Sequence, residues 1–255
     1  MKKRWLFWCL FIGILFPTIA QDDDYVITPP KKQLKSDFNQ LDNPDYTNYL
    51  LSASCFTLKK RDIRISNTDL VFSKVSYGLT DNTTASMSIS LIGGLVASIK
   101  QQIHIADETR LGFSASFGQI AALPTDSTVL FAGGQAMITL GNHQDNITFG
   151  LGFYYAKSSF ELIGNETNFL LNNIYLAGQK RLGRRVYFIA EGIYFNSYNI
   201  LSGTMGVKIT IKETMTIGAG VMSLAWIDPI TRNVFYAPAG SLLPLLSFRM
   251  LLDRH

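Results

Sequence analysis

The stretch Arg110–Gln119, RLGFSASFGQ, places large apolar and small side chains at alternate positions. One phase carries Leu111, Phe113, Ala115 and Phe117, and after Arg110 the other carries glycine and serine over residues 112–118. A period of two residues is typical of a β-strand whose two faces meet different surroundings. The fold therefore depends on whether the apolar face of this strand meets a protein core or lipid.

The same alternation recurs from about residue 56 to the end of the chain. Ile147, Phe149 and Leu151, for example, alternate with a threonine and two glycines. We predict twelve strands, near residues 57–66, 69–79, 83–92, 95–106, 109–121, 127–140, 146–157, 168–182, 185–195, 200–211, 214–225 and 243–252. Small residues in the polar phase suit the interior of a closed barrel, whereas a soluble sandwich usually exposes charged side chains to water.

The connections between the predicted strands alternate in length. Tight polar turns are predicted at 80–82, 106–108, 183–184 and 212–213, and longer links at 122–127, 158–167, 196–199 and 225–242. Short turns on one side and longer loops on the other are typical of outer-membrane barrels. An even number of strands also puts both ends of the barrel on the short-turn, periplasmic side. The links at 66–68, 93–94 and 141–146 fit this scheme less well.

The predicted fold class is all-β: a signal peptide followed by a single antiparallel up-and-down transmembrane β-barrel of about 12 strands. Only 16% of the residues are charged, against about 25% in an average soluble domain. A closed sheet satisfies every backbone hydrogen bond in lipid, which an open sheet cannot do. The alternative is a soluble exported β-barrel or sandwich that acts as a binding protein and uses its apolar phase as a core.

The first twenty residues have the pattern of a cleaved signal peptide. Lys2, Lys3 and Arg4 precede an apolar run over 5–16, and Ala20 offers a small residue for cleavage. We therefore predict a signal peptide over 1–20, a polar periplasmic lead-in over 21–55 and the barrel over 56–255. Cleavage lowers the formal charge from +4 to +1, and no basic stripe remains to bind nucleic acid.

The sequence carries no motif for catalysis or for a metal site. GxSxG, CxxC, HExxH and the phosphate-binding loop are all missing, so we predict no enzymatic activity, no metal and no cofactor. With the signal removed, Cys55 is the single cysteine and can form no internal disulfide. Some barrel enzymes cleave lipid acyl esters with a Ser–His pair, so an outer-membrane lipid hydrolase using His104 remains an alternative. His143 lies in a predicted turn and is expected to be solvated.

Polar residues in the inward phase are the candidates for lining the lumen: Lys100, Gln102, His104, Glu191 and Lys208. Charges inside a narrow barrel need partners or water. The sequence leaves two possibilities open, a barrel plugged by an internal polar network and a barrel with a thin aqueous path. The long link at 225–242 either folds inward as a constriction or remains a surface loop.

The block Asn48–Ile89 resembles the opening of an uncharacterised family of outer-membrane-type β-barrels from gram-negative bacteria. The resemblance is carried by a small-residue stretch into Phe56, by Leu58-Lys59-Lys60 and by the run SYGLTDN over 76–82. The segment ITFGLGFYYA over 147–156 is similar to a glycine-rich strand of that family. One departure is the C-terminus, where Phe248 is the aromatic nearest to the end, although such barrels commonly finish on an aromatic residue.

The resemblance implies a fold and a location, and it implies no activity. Together with the patterning, it predicts an integral barrel of the cell outer membrane that acts as a narrow passive channel or as a structural envelope component. The expected partners are outer-membrane lipid, the barrel-assembly machinery during biogenesis, and small solutes or ions.

Overall fold

A computed structural model of the chain describes residues 45, 49–69, 72–90, 93–122, 127–158, 167–227, 234–236 and 242–252. The predicted signal peptide, most of the predicted lead-in and most of the link at 225–242 lie outside the described residues.

The described residues form thirteen antiparallel strands. They are β1 (Ile63–Thr68), β2 (Phe72–Thr80), β3 (Thr83–Ser90), β4 (Gly94–Ala106), β5 (Thr109–Ala122), β6 (Ser127–Gly141), β7 (Asn146–Ser158), β8 (Thr167–Arg181), β9 (Val186–Phe195), β10 (Ile200–Lys212), β11 (Met215–Ile227), β12 (Val234–Tyr236) and β13 (Leu243–Leu252). None of the helices in the described part of the chain is long and apolar enough to cross a membrane.

Twelve of these strands close into a ring. Consecutive strands pair from β1 to β11, β11 then pairs with β13, and β13 pairs with β1. The short strand β12 pairs with the end of β11 beyond this ring, at Ala225–Ile227. The prediction of a single antiparallel up-and-down barrel of about 12 strands is therefore confirmed.

The opening stretch shows which face of the sheet points outward. Ser114 and Ser116 are buried inside the barrel, whereas the side chains of Phe113 and Phe117 are 48% and 66% exposed on its outside. Each of the twelve ring strands contributes large hydrophobic side chains to the exposed surface. An apolar band that runs all the way round the molecule is far larger than the patches found on soluble proteins, and it suits contact with lipid.

Both ends of the barrel wall lie on the side of the short turns. Ile63 at the start of β1 pairs with Leu252 at the end of β13. The same end carries the turns from β2 to β3, β4 to β5, β6 to β7, β8 to β9 and β10 to β11. We call it the turn end. Gly141 closes β6 there with a φ of +108°, a backbone conformation that residues with a side chain rarely adopt.

A stretch of chain that precedes β1 lies inside the barrel. Asp45 and every residue from 49 to 58 are buried, and we call Asp45 together with residues 49–58 the plug. The lead-in predicted over 21–55 lies ahead of the barrel, so the structure differs over residues 49–55, which pack within the wall. Apolar and serine residues alternate over 51–55, but the segment is bound mainly by wall side chains and is not paired along its length with a neighbouring strand.

Candidate functional site

The interior of the barrel is polar and rich in positive charge. Six Lys and Arg side chains but only three carboxylates are buried among the residues that the structure describes. The basic residues all lie on wall strands, and they are Arg64, Lys74, Lys100, Arg110, Lys208 and Arg249. The carboxylates are Asp45, Asp62 and Glu191. Charges removed from water need partners, and the plug supplies many of them.

Four of the predicted lumen residues, Lys100, Gln102, Glu191 and Lys208, are buried inside the barrel. His104 is paired in register with the buried Arg110, so it belongs to the same inward phase. It is exposed because it lies at the turn end, where β4 extends beyond its pairing with β3 at Gln101. The involvement of the other four residues in passage remains a prediction.

Glu191 on β9 binds the plug through three consecutive backbone amides. The amides of Leu50 and Ser52 donate to Oε1 and Oε2, each at 2.6 Å, and that of Leu51 donates to both oxygens at 2.9 and 3.1 Å. Hydrogen bonds to a charged acceptor are roughly twice as strong as neutral ones. One carboxylate thus fixes the backbone of three residues in the middle of the lumen.

Asp45 is held by basic side chains from three strands. Lys208 on β10 places Nζ 2.8 Å from Oδ2, and Arg249 on β13 donates to the same oxygen. Arg64 on β1 lies 3.6 Å from Oδ1. Arg249 also donates to the carbonyl of Tyr49, at 3.0 Å. All four charged side chains are at most 3% exposed, so this ion cluster is fully buried.

Further wall side chains bind the rest of the plug backbone. Lys100 Nζ donates to the carbonyl of Phe56 at 2.7 Å, and Tyr175 Oη donates to that of Ala53 at 3.0 Å. Thr139 Oγ1 accepts from the amide of Cys55 at 2.9 Å, and Thr84 Oγ1 accepts from that of Leu58 at 2.7 Å. Buried backbone groups must be hydrogen-bonded. The wall binds these four groups of the plug backbone, while the amides of Tyr49 and Phe56 bond within the plug itself.

Leu50 is the main apolar anchor of the plug. It packs in a buried cluster that includes Ile189 and Ile193 of β9. Two strands along the wall, β11 presents Gly218 and Gly220, where an added Cβ would lie 3.0 and 2.5 Å from the methyl groups of Leu50. The two glycines therefore leave the space that this leucine fills.

The turn between β6 and β7 covers the plug at the turn end. The ring of His143 meets that of Phe56 edge to face, with centroids 4.9 Å apart. The guanidinium of Arg110 lies 4.6 Å from the centroid of the Phe56 ring on another side. Burial, and then the charges of Arg110 and Lys59, lower the pKa of His143 to about 3, so this histidine is neutral at physiological pH. The sequence had suggested a solvated side chain.

The interior near the opposite end is apolar on one side. A separate buried cluster joins strands β4 to β7 and consists of Val96, Ile120, Val129, Phe131 and Ala156. Val129 pairs with Ser158 at the far end of β7, which places the cluster away from the turn end. The lumen therefore has a polar part that contains the plug and an apolar part beyond it.

Several residues of this site were missed in the sequence. Asp45 was part of the polar lead-in, and Tyr175 was hidden among apolar neighbours. Arg64 and Arg249 could have been found, because each is a charged residue between two large apolar residues of a predicted strand. In an alternating strand that position must face the lumen.

The described residues do not assemble a metal site or an evident catalytic centre. They contain no group of three His, Cys, Asp or Glu side chains able to hold a metal ion. The free thiol of Cys55 is buried and donates to the carbonyl of Met137, at 3.3 Å. The arrangement holds a segment of chain inside the barrel through charged and polar side chains of the wall.

A closed ring of strands with an apolar outer band and a charged interior defines a membrane β-barrel. No known protein family and no curated protein matches the sequence. Among solved structures, the chain is similar to the NanC porin, with 12% identity and a TM-score of 0.44 over 74% of this chain and 97% of that one. It is also similar to the KdgM porin, with 9% identity and a TM-score of 0.43 over 76% and 98% of the two chains.

A third similar structure is OmpT of Vibrio cholerae, with 10% identity and a TM-score of 0.40 over 71% of this chain and 64% of that one.

Proposed function

We propose that this chain is a non-enzymatic β-barrel of the cell outer membrane that acts as a narrow passive channel for small solutes or ions and is gated by its plug. The observation that carries the proposal is the binding of Leu50, Leu51 and Ser52 through their backbone amides to one wall carboxylate, Glu191. A segment held by side chains leaves the barrel ladder complete when it moves, whereas removal of a wall strand would open the sheet.

The outer-membrane location is supported by two features of the chain. The predicted signal peptide over 1–20 would direct export, and the outward apolar band fits a lipid environment. Outer-membrane lipid would then contact residues such as Phe113 and Phe117, and the barrel-assembly machinery would insert the chain during biogenesis.

Two other candidate functions differ from a gated channel in clear ways. A structural envelope component would keep the plug in place permanently. A lipid hydrolase would need His104 in a reactive site, but this side chain is exposed at the turn end and pairs in register with Arg110. The hydrolase thus gains no support from its surroundings.

A cysteine cross-link between the plug and the wall tests the gate. Cys55 Sγ lies next to the backbone of Met137 on β6, and the two side chains belong to one buried cluster. Met137→Cys should form a disulfide with Cys55 on oxidation, because the two positions are close enough for a short covalent bridge. In planar bilayers we expect conductance steps from the reduced protein and none from the oxidised protein.

Two controls make this result specific. Met137→Ala removes the same side chain without adding a thiol, so oxidant should leave its conductance unchanged. The second control is the mass of the purified protein, which should show that residues 1–20, and Cys9 with them, have been removed. Steps that persist after complete cross-linking would show that the plug does not gate the channel. Silence of folded, reduced protein under all applied voltages would instead favour a structural component.

A further inference from the structure

Three basic side chains of the wall converge on one carboxylate, and we call Arg64, Lys208 and Arg249 the basic triad. We propose that the basic triad is a binding site for the carboxylate group of a small solute, and that Asp45 occupies this site while the barrel is closed. The inference rests on the proposed gated channel, because the triad is open to solute when the plug has moved.

The geometry is that of a site built for a planar anion with two oxygens. Arg64 approaches Oδ1 of Asp45, while Lys208 and Arg249 bind Oδ2. Arg249 directs one guanidinium nitrogen to Oδ2 and the other to the carbonyl of Tyr49. A carboxylate from solution can place one oxygen against Lys208 and Arg249 and the other towards Arg64, whereas a halide ion offers a single centre to all three cations.

Burial makes an anion necessary at this place. The side chains of the basic triad are between 0% and 3% exposed. Leaving a buried charge without its partner strongly destabilises a protein. When Asp45 withdraws, the three cations must therefore be neutralised by an anion from solution or be hydrated.

The rest of the lumen favours the arrival of such an anion. Lys74, Lys100 and Arg110 are buried on the wall in addition to the basic triad, and Glu191 is the buried carboxylate found on the ring strands among the described residues. A pore lined by an excess of one charge concentrates ions of the opposite sign. The preferred solutes are thus small carboxylates rather than cations or neutral molecules.

Chemical rescue of a plug variant tests the site directly. Asp45→Ala in the full chain removes the carboxylate and leaves a space of its size beside the basic triad. We expect formate or acetate to raise the apparent Tm of this variant in detergent by about 2–4 °C relative to chloride at equal ionic strength. Wild-type protein should show no such difference, because Asp45 already fills the site.

A matched control removes an acid elsewhere on the barrel. Asp69 lies in the turn after β1 and accepts a hydrogen bond from the amide of Leu246 at 2.6 Å. Asp69→Ala should respond equally to formate and chloride. Adding Arg249→Gln to Asp45→Ala should abolish the rescue, because it removes a member of the basic triad.

The possible outcomes separate this inference from the gated channel. If Asp45→Ala does not fold in chloride, its folded yield is measured in formate, and rescue by formate alone supports the site. An equal response to formate and chloride, or rescue that survives Arg249→Gln, overturns it. Neither result alters the cross-linking experiment at Met137, which tests the gate independently.

Discussion

At the scale of single residues, Glu191 shows how one side chain can hold a whole segment in place. The sequence identified it as an inward charge, because it lies in the inward phase of a predicted strand. Its partners could not be predicted, since they are backbone amides of Leu50, Leu51 and Ser52. Every residue except proline offers such a donor, so the sequence does not show which residues make this contact.

Glu191→Gln should loosen the plug. The substitution removes the negative charge and replaces one acceptor oxygen with a donor that faces two plug amides, because each oxygen of Glu191 accepts from two of them. Hydrogen bonds to charged groups contribute about 1.5–3 kcal/mol, so exposure of the plug should increase at least about tenfold. The measurement is the rate at which a maleimide labels Cys55 in the folded, signal-cleaved protein.

The control for this prediction is Glu213→Gln. Glu213 is exposed in the turn between β10 and β11, so its replacement makes the same change in charge outside the lumen and should not alter labelling. Equal labelling of Glu191→Gln and the parent protein would contradict the conclusion that Glu191 keeps the plug in place.

At the scale of elements, the wall strands and the plug differ in how far the sequence specifies them. The strands were predictable because alternating side chains have to face lipid or lumen, as in Phe113 and Ser114 of β5. The plug was not, because its alternation is confined to residues 51–55 and no strand pairs along its length. The boundary predicted at residue 56 therefore fell inside a segment that is buried throughout.

Packing of the plug against the wall predicts a contrast between two glycines. At Gly220, an added Cβ would lie 2.5 Å from a methyl group of Leu50 and 2.7 Å from the carbonyl oxygen of Met205. Gly220→Ala should displace Leu50, lower the free energy of unfolding by about 1–3 kcal/mol and speed the labelling of Cys55. These effects are measured by thermal unfolding in detergent and by maleimide reaction.

Gly192→Ala is the matched control, because an added Cβ there meets nothing within 4 Å. It should leave both the apparent Tm and the labelling of Cys55 at their parental values. If the two alanine variants behave alike, Leu50 is not seated on β11 as described.

At the scale of the whole molecule, the barrel reverses the arrangement of a soluble protein, in which apolar side chains are buried and charged side chains are exposed. Large apolar side chains cover the outside of all twelve ring strands, and charges such as Lys208 and Arg249 lie within. The sequence predicted this inversion from the small residues of the polar phase. It could not predict which inward charges meet, because those contacts depend on the positions of strands far apart in the chain.

The outer band predicts that depth in the membrane, and not exposure alone, decides the effect of a charge. Phe117 near the middle of β5 and Leu182 in the turn after β8 are 66% and 65% exposed. Phe117→Arg should destabilise the inserted barrel by about 2–4 kcal/mol, and Leu182→Arg by about 0–1 kcal/mol. Refolding into lipid vesicles over a urea series measures both, and similar losses would contradict the membrane orientation.

The plug joins β1 at the turn end through only the four residues between Leu58 and Ile63. Such a short tether keeps a released plug close to the lumen, at an effective concentration on the order of millimolar. Closing is therefore a unimolecular step, and its equilibrium does not depend on how much protein is present. A free solute that competes with Asp45 has to reach a comparable concentration, so the barrel would respond to abundant small acids and ignore traces of them.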